Sequence, residues 1–338
     1  MRAVGYQTPQ PIAAETSLVD IDLPVPEAHG HDILVEVKAV SVNPVDTKVR
    51  SAAQPEPGQH RILGYDAAGV VKAVGESVTL FKPGDAVYYA GVINRPGTNS
   101  EFHLVDERIV ALKPKSLSFA EAAAVPLTAI TAYEMLFHRL KVEDRVAGAH
   151  HALLITGGAG GVGSMAIQLA AALTDLIIVT TTSRPETSEW VKALGAHHVL
   201  DHSNALAPQY AALDIGAPAF VFSVTRSDLH VADLQAIIAP QGRFGIIDDI
   251  KGGFDVMPFK SKAVSIHWES MFTRPVFQTA DMIEQHRLLT HVAELVDTGR
   301  IRTTLTETLG TINAANLKKA HALIESGRTR GKIVLEGF

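Results

Sequence analysis

The chain has 338 residues, 46% of them apolar, no cysteine and a net charge of −6. The absence of cysteine excludes disulfides, thiolate zinc sites and a cysteine nucleophile, and a weak charge with no basic block argues against nucleic acid as a partner. The length suits two domains, with enough apolar residues for two cores.

The N-terminal stretch MRAVGYQTPQ lacks the apolar core of a signal peptide. The first hundred residues read as short strands and turns. Valine-rich stretches run over 33–42, 69–74 and 86–90, punctuated by Pro55–Gly58, Pro83–Asp85 and Pro96-Gly97. From Leu117 the texture changes. Ser118 with Glu121 three residues on has the form of a capping box, Pro126 interrupts an apolar run, and 129–140 reads as a helix. Strands are then expected at 153–156, 176–181, 198–200, 219–222, 242–247 and 265–268, several separated by helical patterns. Such a βαβ series builds a doubly wound parallel sheet, so the fold class is α/β. An amphipathic helix over 281–298 follows, ended by Gly299. Strands at 303–309 and 331–335 then flank a helix over 314–326. This tail is too β-like for the parallel sheet and is expected to return to the first domain.

The most informative stretch is LLITGGAGGVGSMAIQLAAAL, Leu153 to Leu173. An apolar strand leads into Gly158, Gly160 and Gly163 in G-x-G-x-x-G spacing. Apolar residues then recur at helical spacing. Gly158 is expected to permit the tight turn, Gly160 to admit a pyrophosphate, and Gly163 to let the helix approach the strand. With Gly161 and Val162, they open a helix whose first N–H groups suit phosphate. Residues 152–174 carry no charge and match a bilayer in length, but the glycines and the amphipathic second half argue against a span. The expectation is a soluble, cytoplasmic protein with no membrane partner.

The second strand of this sheet ends in Thr182-Ser183-Arg184, with no acid before Glu186. A carboxylate here would hold the ribose 2′-OH of NADH. Ser183 and Arg184 instead suit a 2′-phosphate, so the cofactor is expected to be NADPH.

The order of β-rich domain, dinucleotide domain and short β return comes with the strings AVSVNPVDTKVR (39–50), LGYDAAGVVKAVG (63–75), FKPGDAVYYAG (81–91), AAAVPLTAITAYEML (122–136), TGGAGGVGS (156–164) and GKIVL (331–335). Together these resemble the medium-chain dehydrogenase/reductase superfamily along essentially the whole chain, and most closely its zinc-free quinone-oxidoreductase branch. WESMFTR (268–274) looks like the subgroup called zinc-type alcohol dehydrogenase-like. The resemblance implies a GroES-like catalytic domain over 1–127 and 273–338 and a Rossmann domain over 128–272. It also implies a homodimer, with 219–223 and 264–268 as candidate edges. Zinc members hold the metal with Cys, His and Cys beside a Glu. The matching residues here are Asn43, Tyr65 and Pro126 beside Asp66, a poor zinc set, so no metal is expected.

Without a Lewis acid, the expected reaction is hydride transfer to a quinone or α,β-unsaturated carbonyl, with donors stabilising the oxyanion. The candidate catalytic residues are Asn43, Tyr65 and Lys48, with Asp46 and Asp66 orienting them. By resemblance, Thr131 contacts the nicotinamide carboxamide and Ile247-Asp248 flank its ring. Trp268, Met271 and Phe272 are expected to line the substrate cleft. Many relatives carry D-S-x-G after the fourth strand. Here Ser223 replaces the acid and Thr225 the glycine. The alternative readings are an alcohol or aldehyde dehydrogenase on the same scaffold and a non-catalytic NADPH-binding protein.

Overall fold

The computed structural model describes residues 1–250 and 252–338. Contacts divide the chain into a first unit, Met1–Ile130 with Phe272–Phe338, and a second, Thr131–Met271.

The first unit opens with strands β1 (Arg2–Tyr6), β2 (Val19–Asp22), β3 (Asp32–Val42), β4 (Arg61–Ile62), β5 (Asp66–Val74), β6 (Ala86–Ala90), β7 (Phe102–Asp106) and β8 (Val110–Leu112). Helix α1 (Pro44–Ala52) leaves the end of β3, and α2 (Phe119–Ala123) follows β8. The capping box at α2 forms: Ser118 Oγ accepts from Glu121 N at 3.2 Å, and Glu121 Oε2 accepts from Ser118 N at 2.8 Å. Helix α3 (Pro126–Tyr133) starts on Pro126 and continues as a π-helical stretch, Glu134–Arg139, where one α-helix was expected. Proline starts this helix rather than interrupting one, because a first-turn residue needs no N–H.

The second unit contains β9 (His150–Ile155), α4 (Gly161–Leu173), β10 (Ile177–Thr182), α5 (Pro185–Ala193), β11 (His198–Asp201), α6 (Leu206–Ala211), β12 (Pro218–Ser223), α7 (Ser227–Ile237), β13 (Arg243–Ile246) and β14 (Ser265–Trp268). The six strands are parallel, in the order β11-β10-β9-β12-β13-β14. This is the doubly wound order 3-2-1-4-5-6. The expectation that 219–223 forms a sheet edge is corrected: β12 lies between β9 and β13 and is buried throughout. Its run of alanine, phenylalanine and valine is the mark of a strand covered on both faces. β14 is the edge.

The chain then returns to the first unit through α8 (Thr273–Phe277) and α9 (Glu284–Asp297), followed by β15 (Leu305–Thr308), α10 (Ala314–Glu325) and β16 (Lys332–Glu336). In α9, Leu288, Leu289, Val292, Leu295 and Val296 form one buried stripe, and Gly299 beyond it takes φ +71°. β16 pairs antiparallel with β3, from Ile333↔Val42 to Glu336↔Ala39. The larger sheet of this unit runs β15-β16-β3-β5-β6-β8, with β7 also on β3. Val35, Val37, Val40, Leu63, Val71, Val87, Leu317, Ile333 and Leu335 belong to one core. Among the described residues no helix is long and apolar enough to cross a membrane.

Candidate active site

In the first unit, the end of β3, the start of α1, the start of β5 and the start of β16 bring polar groups into the interior. Asn43 is the residue before α1, and Asp46 in its first turn accepts from Asn43 N at 2.7 Å. The other Asp46 oxygen accepts from Gly64 N at 2.9 Å. Asp66 opens β5 and accepts from Leu127 N at 2.7 Å and from Asn43 Nδ2 at 2.8 Å. Lys332, from β16, donates to Asp66 Oδ2 at 3.0 Å, to Asn43 Oδ1, and to Val42 O at 3.2 Å. The Lys332 and Asp66 side chains are 3% and 0% exposed. Burial pushes the Asp46 carboxyl up to about 7, against the N–H groups of Asn43 and Gly64 and the Lys332 ammonium. Burial also raises Asp66, opposed first by Lys332.

Asn43 was expected to offer a free amide to a substrate oxyanion. Instead its Nδ2 donates to Asp66 and to Ser41 O at 3.3 Å, and its Oδ1 accepts from Lys332. The amide is consumed in fixing the ion pair. Lys48 is on the exposed face of α1. Tyr65, fully buried, is different: its hydroxyl has no hydrogen-bond partner among the described residues. Its ring meets Phe272 edge-on at 5.4 Å. Burial pushes the phenol up, the Asp46 carboxylate adds to this, and the Arg61 guanidinium opposes it. An orphaned buried hydroxyl is rare and marks a place where a ligand or water completes the network.

In the second unit, the glycine loop joins β9 to α4. The left-handed turn falls on Gly157, at φ +64°, and not on Gly158. Gly158 is needed for space, since a Cβ there would stand 2.1 Å from Thr180 Oγ1. A Cβ on Gly163 would stand 2.4 Å from Gly157 O, so this glycine admits the turn itself. At Gly160 a Cβ would meet nothing nearer than Gly157 O at 3.5 Å, so the fold itself does not require a glycine there. Gly161, Val162 and Gly163 form the first turn of a 13-residue helix, whose N–H groups have no intrahelical acceptor.

Ser183 is exposed, and Arg184 precedes α5 with its guanidinium 3.3 Å from Glu186. Thr131 is buried. Ile247 follows β13, but the Asp248 carboxylate is committed to α7, accepting from Ser227 N at 3.0 Å and Ser227 Oγ at 2.5 Å. Ser223 Oγ lies 2.6 Å from Ser227 Oγ, and the Thr225 methyl approaches the Gly157 turn. Met271 is buried, whereas Trp268 is 56% exposed and rests edge-on against Phe254. Phe272 belongs to the first unit, with Tyr65.

Lys332 escaped the sequence reading, although a lysine inside the apolar strand 331–335 was a usable signal. A second ion pair also escaped it: the half-buried Arg139 donates from Nε to the buried Glu269 Oε2 at 2.7 Å.

A GroES-like unit with a doubly wound nucleotide unit defines a nicotinamide-dependent oxidoreductase scaffold. The sequence models for the alcohol dehydrogenase GroES-like domain and the zinc-binding dehydrogenase match residues 29–131 and 194–335. The chain belongs to the medium-chain dehydrogenase/reductase family. It is 38% identical over 336 residues to a zinc-type alcohol dehydrogenase-like protein of Staphylococcus aureus (strain MSSA476), covering 99% of each chain. A crystal structure from Rhizobium etli CFN 42, carrying the name of a zinc-dependent alcohol dehydrogenase protein, superposes with TM-score 0.98 at 64% identity, covering 100% of this chain and 98% of that one. The 2-methylene-furan-3-one reductase of Solanum lycopersicum is 39% identical over 196 residues, 55% of this chain and 48% of that protein.

The zinc-type, zinc-dependent and zinc-binding names imply zinc, and the donors here do not suit it. Asn43 Oδ1 is occupied by Lys332, the Tyr65 phenol is held protonated by burial, and Pro126 offers no side-chain donor. Among the described residues no group of three or more His, Asp or Glu is placed to hold a metal. The cation beside Asn43 and Asp66 is the lysine ammonium.

Proposed function

We propose that this protein is an NADPH-dependent, zinc-independent reductase of conjugated carbonyls, namely quinones and α,β-unsaturated ketones or aldehydes. The observation that carries the reading is the buried Tyr65 hydroxyl, a donor with no protein partner among the described residues. Asp46 and the Lys332–Asp66 pair, held by Asn43, complete the cluster around it. Conjugated carbonyls are electrophilic enough to accept hydride when a hydrogen-bond donor alone meets the developing oxyanion. The tomato relative's name, a reductase of an exocyclic enone, supports the same class.

When bound, NADPH supplies the hydride. The N-terminus of α4, with Gly158, Gly160, Gly161, Val162 and Gly163, holds the pyrophosphate. Ser183 and Arg184 receive the 2′-phosphate, and Thr131 and the backbone at Ile247 hold the nicotinamide end. Tyr65 donates to the acceptor's carbonyl oxygen, whose enolate takes its carbon proton from water. Phe272, edge-on to Tyr65, contributes apolar surface for the acceptor. The active form is a homodimer that uses the β14 edge.

The test follows NADPH oxidation by chelator-treated protein with a benzoquinone and a short enone, in wild type and Tyr65→Phe. Turnover with either acceptor, falling about 10²–10³-fold in kcat on loss of one oxyanion donor, is expected. Wild-type kcat in Tyr65→Phe would remove the role given to Tyr65. Activity only with added zinc would overturn the mechanism.

A further inference from the structure

At the carboxyl edge of the second unit's sheet, two imidazoles stand beside the glycine loop with no role in the proposed chemistry. Thr181, near the end of β10, accepts from Gly157 N at 3.0 Å, and its hydroxyl lies 3.1 Å from His202 Nδ1. With the Gly157 N–H on its oxygen, Thr181 has a proton to give to Nδ1. This leaves Nε2–H as the donor of the neutral ring. His202 follows β11, and its backbone N donates to Thr182 O at 3.1 Å. The register Thr182↔Asp201 therefore places it next to Ser183. The His230 ring, on the first turns of α7, has its centroid 6.3 Å from that of His202. Arg226, just before α7, takes the left-handed conformation, φ 54° and ψ 36°. A non-glycine residue held there stores strain, which persists where ligands are clamped.

The acids around the pair are mostly engaged elsewhere. Asp201 accepts from Ser203 and from Asn204 Nδ2, and Asp233 accepts from Leu206 N and Ala207 N. Asp228, on α7, is the remaining carboxylate near His230. These hydrogen bonds come from neutral donors and leave the carboxylates charged. With both rings neutral, Arg226 is the one cation among these groups, and further positive charge comes only from protonation of the two imidazoles. Burial first holds both rings below the ordinary histidine value, with the His230 charge and then Arg226 adding to it at His202 and Arg226 at His230, against Asp201 at His202 and against Asp233 and Asp228 at His230. Without an anion the pair is neutral at physiological pH. An incoming phosphate monoester, largely dianionic above its second pKa of about 6, reverses that balance.

We propose that His202 and His230, with Arg226, join Ser183 and Arg184 in receiving the adenosine 2′-phosphate of NADPH and take up a proton with it, so that discrimination against NADH weakens as pH rises. The inference rests on the proposed use of NADPH. The pyrophosphate, common to both nicotinamide cofactors, goes to the N-terminus of α4 and does not engage the pair.

The experiment is isothermal titration of the full chain with NADPH, NADH and 2′,5′-ADP at pH 6, 7 and 8, in buffers of different ionisation enthalpy. Wild type is compared with His202→Gln and His230→Gln, with thermal unfolding as the control for folding. Wild type is expected to take up protons with NADPH and 2′,5′-ADP but not with NADH, and its NADPH:NADH affinity ratio to fall about tenfold or more from pH 6 to 8. In the glutamine variants that ratio should drop and become flat with pH. Wild type that prefers NADPH with no proton uptake, or variants with the wild-type profile, would overturn the inference and leave the cofactor reading standing. Equal wild-type affinity for NADPH and NADH at every pH would overturn the cofactor reading and the inference with it.

Discussion

Replacing Lys332 with methionine keeps most of the side-chain volume and removes the ammonium from a site where both partners are at most 3% exposed. Asp66 then loses its 3.0 Å partner, and the acceptors Asn43 Oδ1 and Val42 O lose their donor. Removing one partner of a buried pair costs about 3–5 kcal/mol, because the other charge stays buried. For a unit of this size that is a fall of roughly 6–20 °C in its unfolding transition. The defect has a definite pH dependence. The folded-state pKa of Asp66 is already raised by burial and loses its main opposing influence, so the ionised form becomes still less favourable in the folded state. A carboxyl with a raised folded pKa favours folding below its unfolded pKa, and this contribution is lost as pH rises through the folded value. The variant's deficit should therefore be largest at pH 8 and smaller at pH 5. Adding Asp66→Asn should recover most of it. Calorimetry of the single and double variants at both pH values tests this. A Lys332→Met transition at the wild-type temperature at pH 8, or no recovery in the double variant, would refute the reasoning.

Other outcomes follow from the same geometry. Gly160→Ala should fold with wild-type stability, because its Cβ has space, yet lose dinucleotide affinity by titration. Gly163→Ala, whose Cβ would press on Gly157 O, should lower stability as well as affinity. With Asp46 near 7 in the folded state and near 3.8 when unfolded, the folded chain holds an extra proton between those values. Stability to urea should fall as pH rises through that window, and Asp46→Asn should flatten the slope. Asn43→Ala leaves buried groups of Lys332 and Asp66 short of a partner, at a cost of about 1–3 kcal/mol. Its kcat should fall through misplacement of the cluster while its NADPH Kd stays near wild type.

The parallel sheet was legible because its central strands carry short apolar runs, such as 152–155, 177–179 and 219–222, and its turns carry glycine, proline or polar residues. The antiparallel return of β16 onto β3 was legible only as a change in texture, since no local pattern names a partner 292 residues away, the separation of Ser41 from the Ile333 carbonyl it donates to. The glycine loop could be found, but not which glycine takes the left-handed turn, because Gly157 and Gly158 are adjacent and differ only in their neighbours. Asn43 could be singled out but not its commitment to Asp66 and Lys332. Those three residues meet only when strands from both ends of the chain pair, and local spacing carries no trace of that.

The division of the first unit has a consequence for the order in which the molecule is made. The second unit is one uninterrupted stretch, whereas the larger sheet of the first waits for β16. Every residue of the glycine loop and parallel sheet is therefore synthesised before the Lys332 ammonium that pairs with Asp66. Local contacts form ahead of distant ones because they close shorter loops. The glycine loop and the parallel sheet thus lie wholly upstream of the strand that brings the ammonium to Asp66.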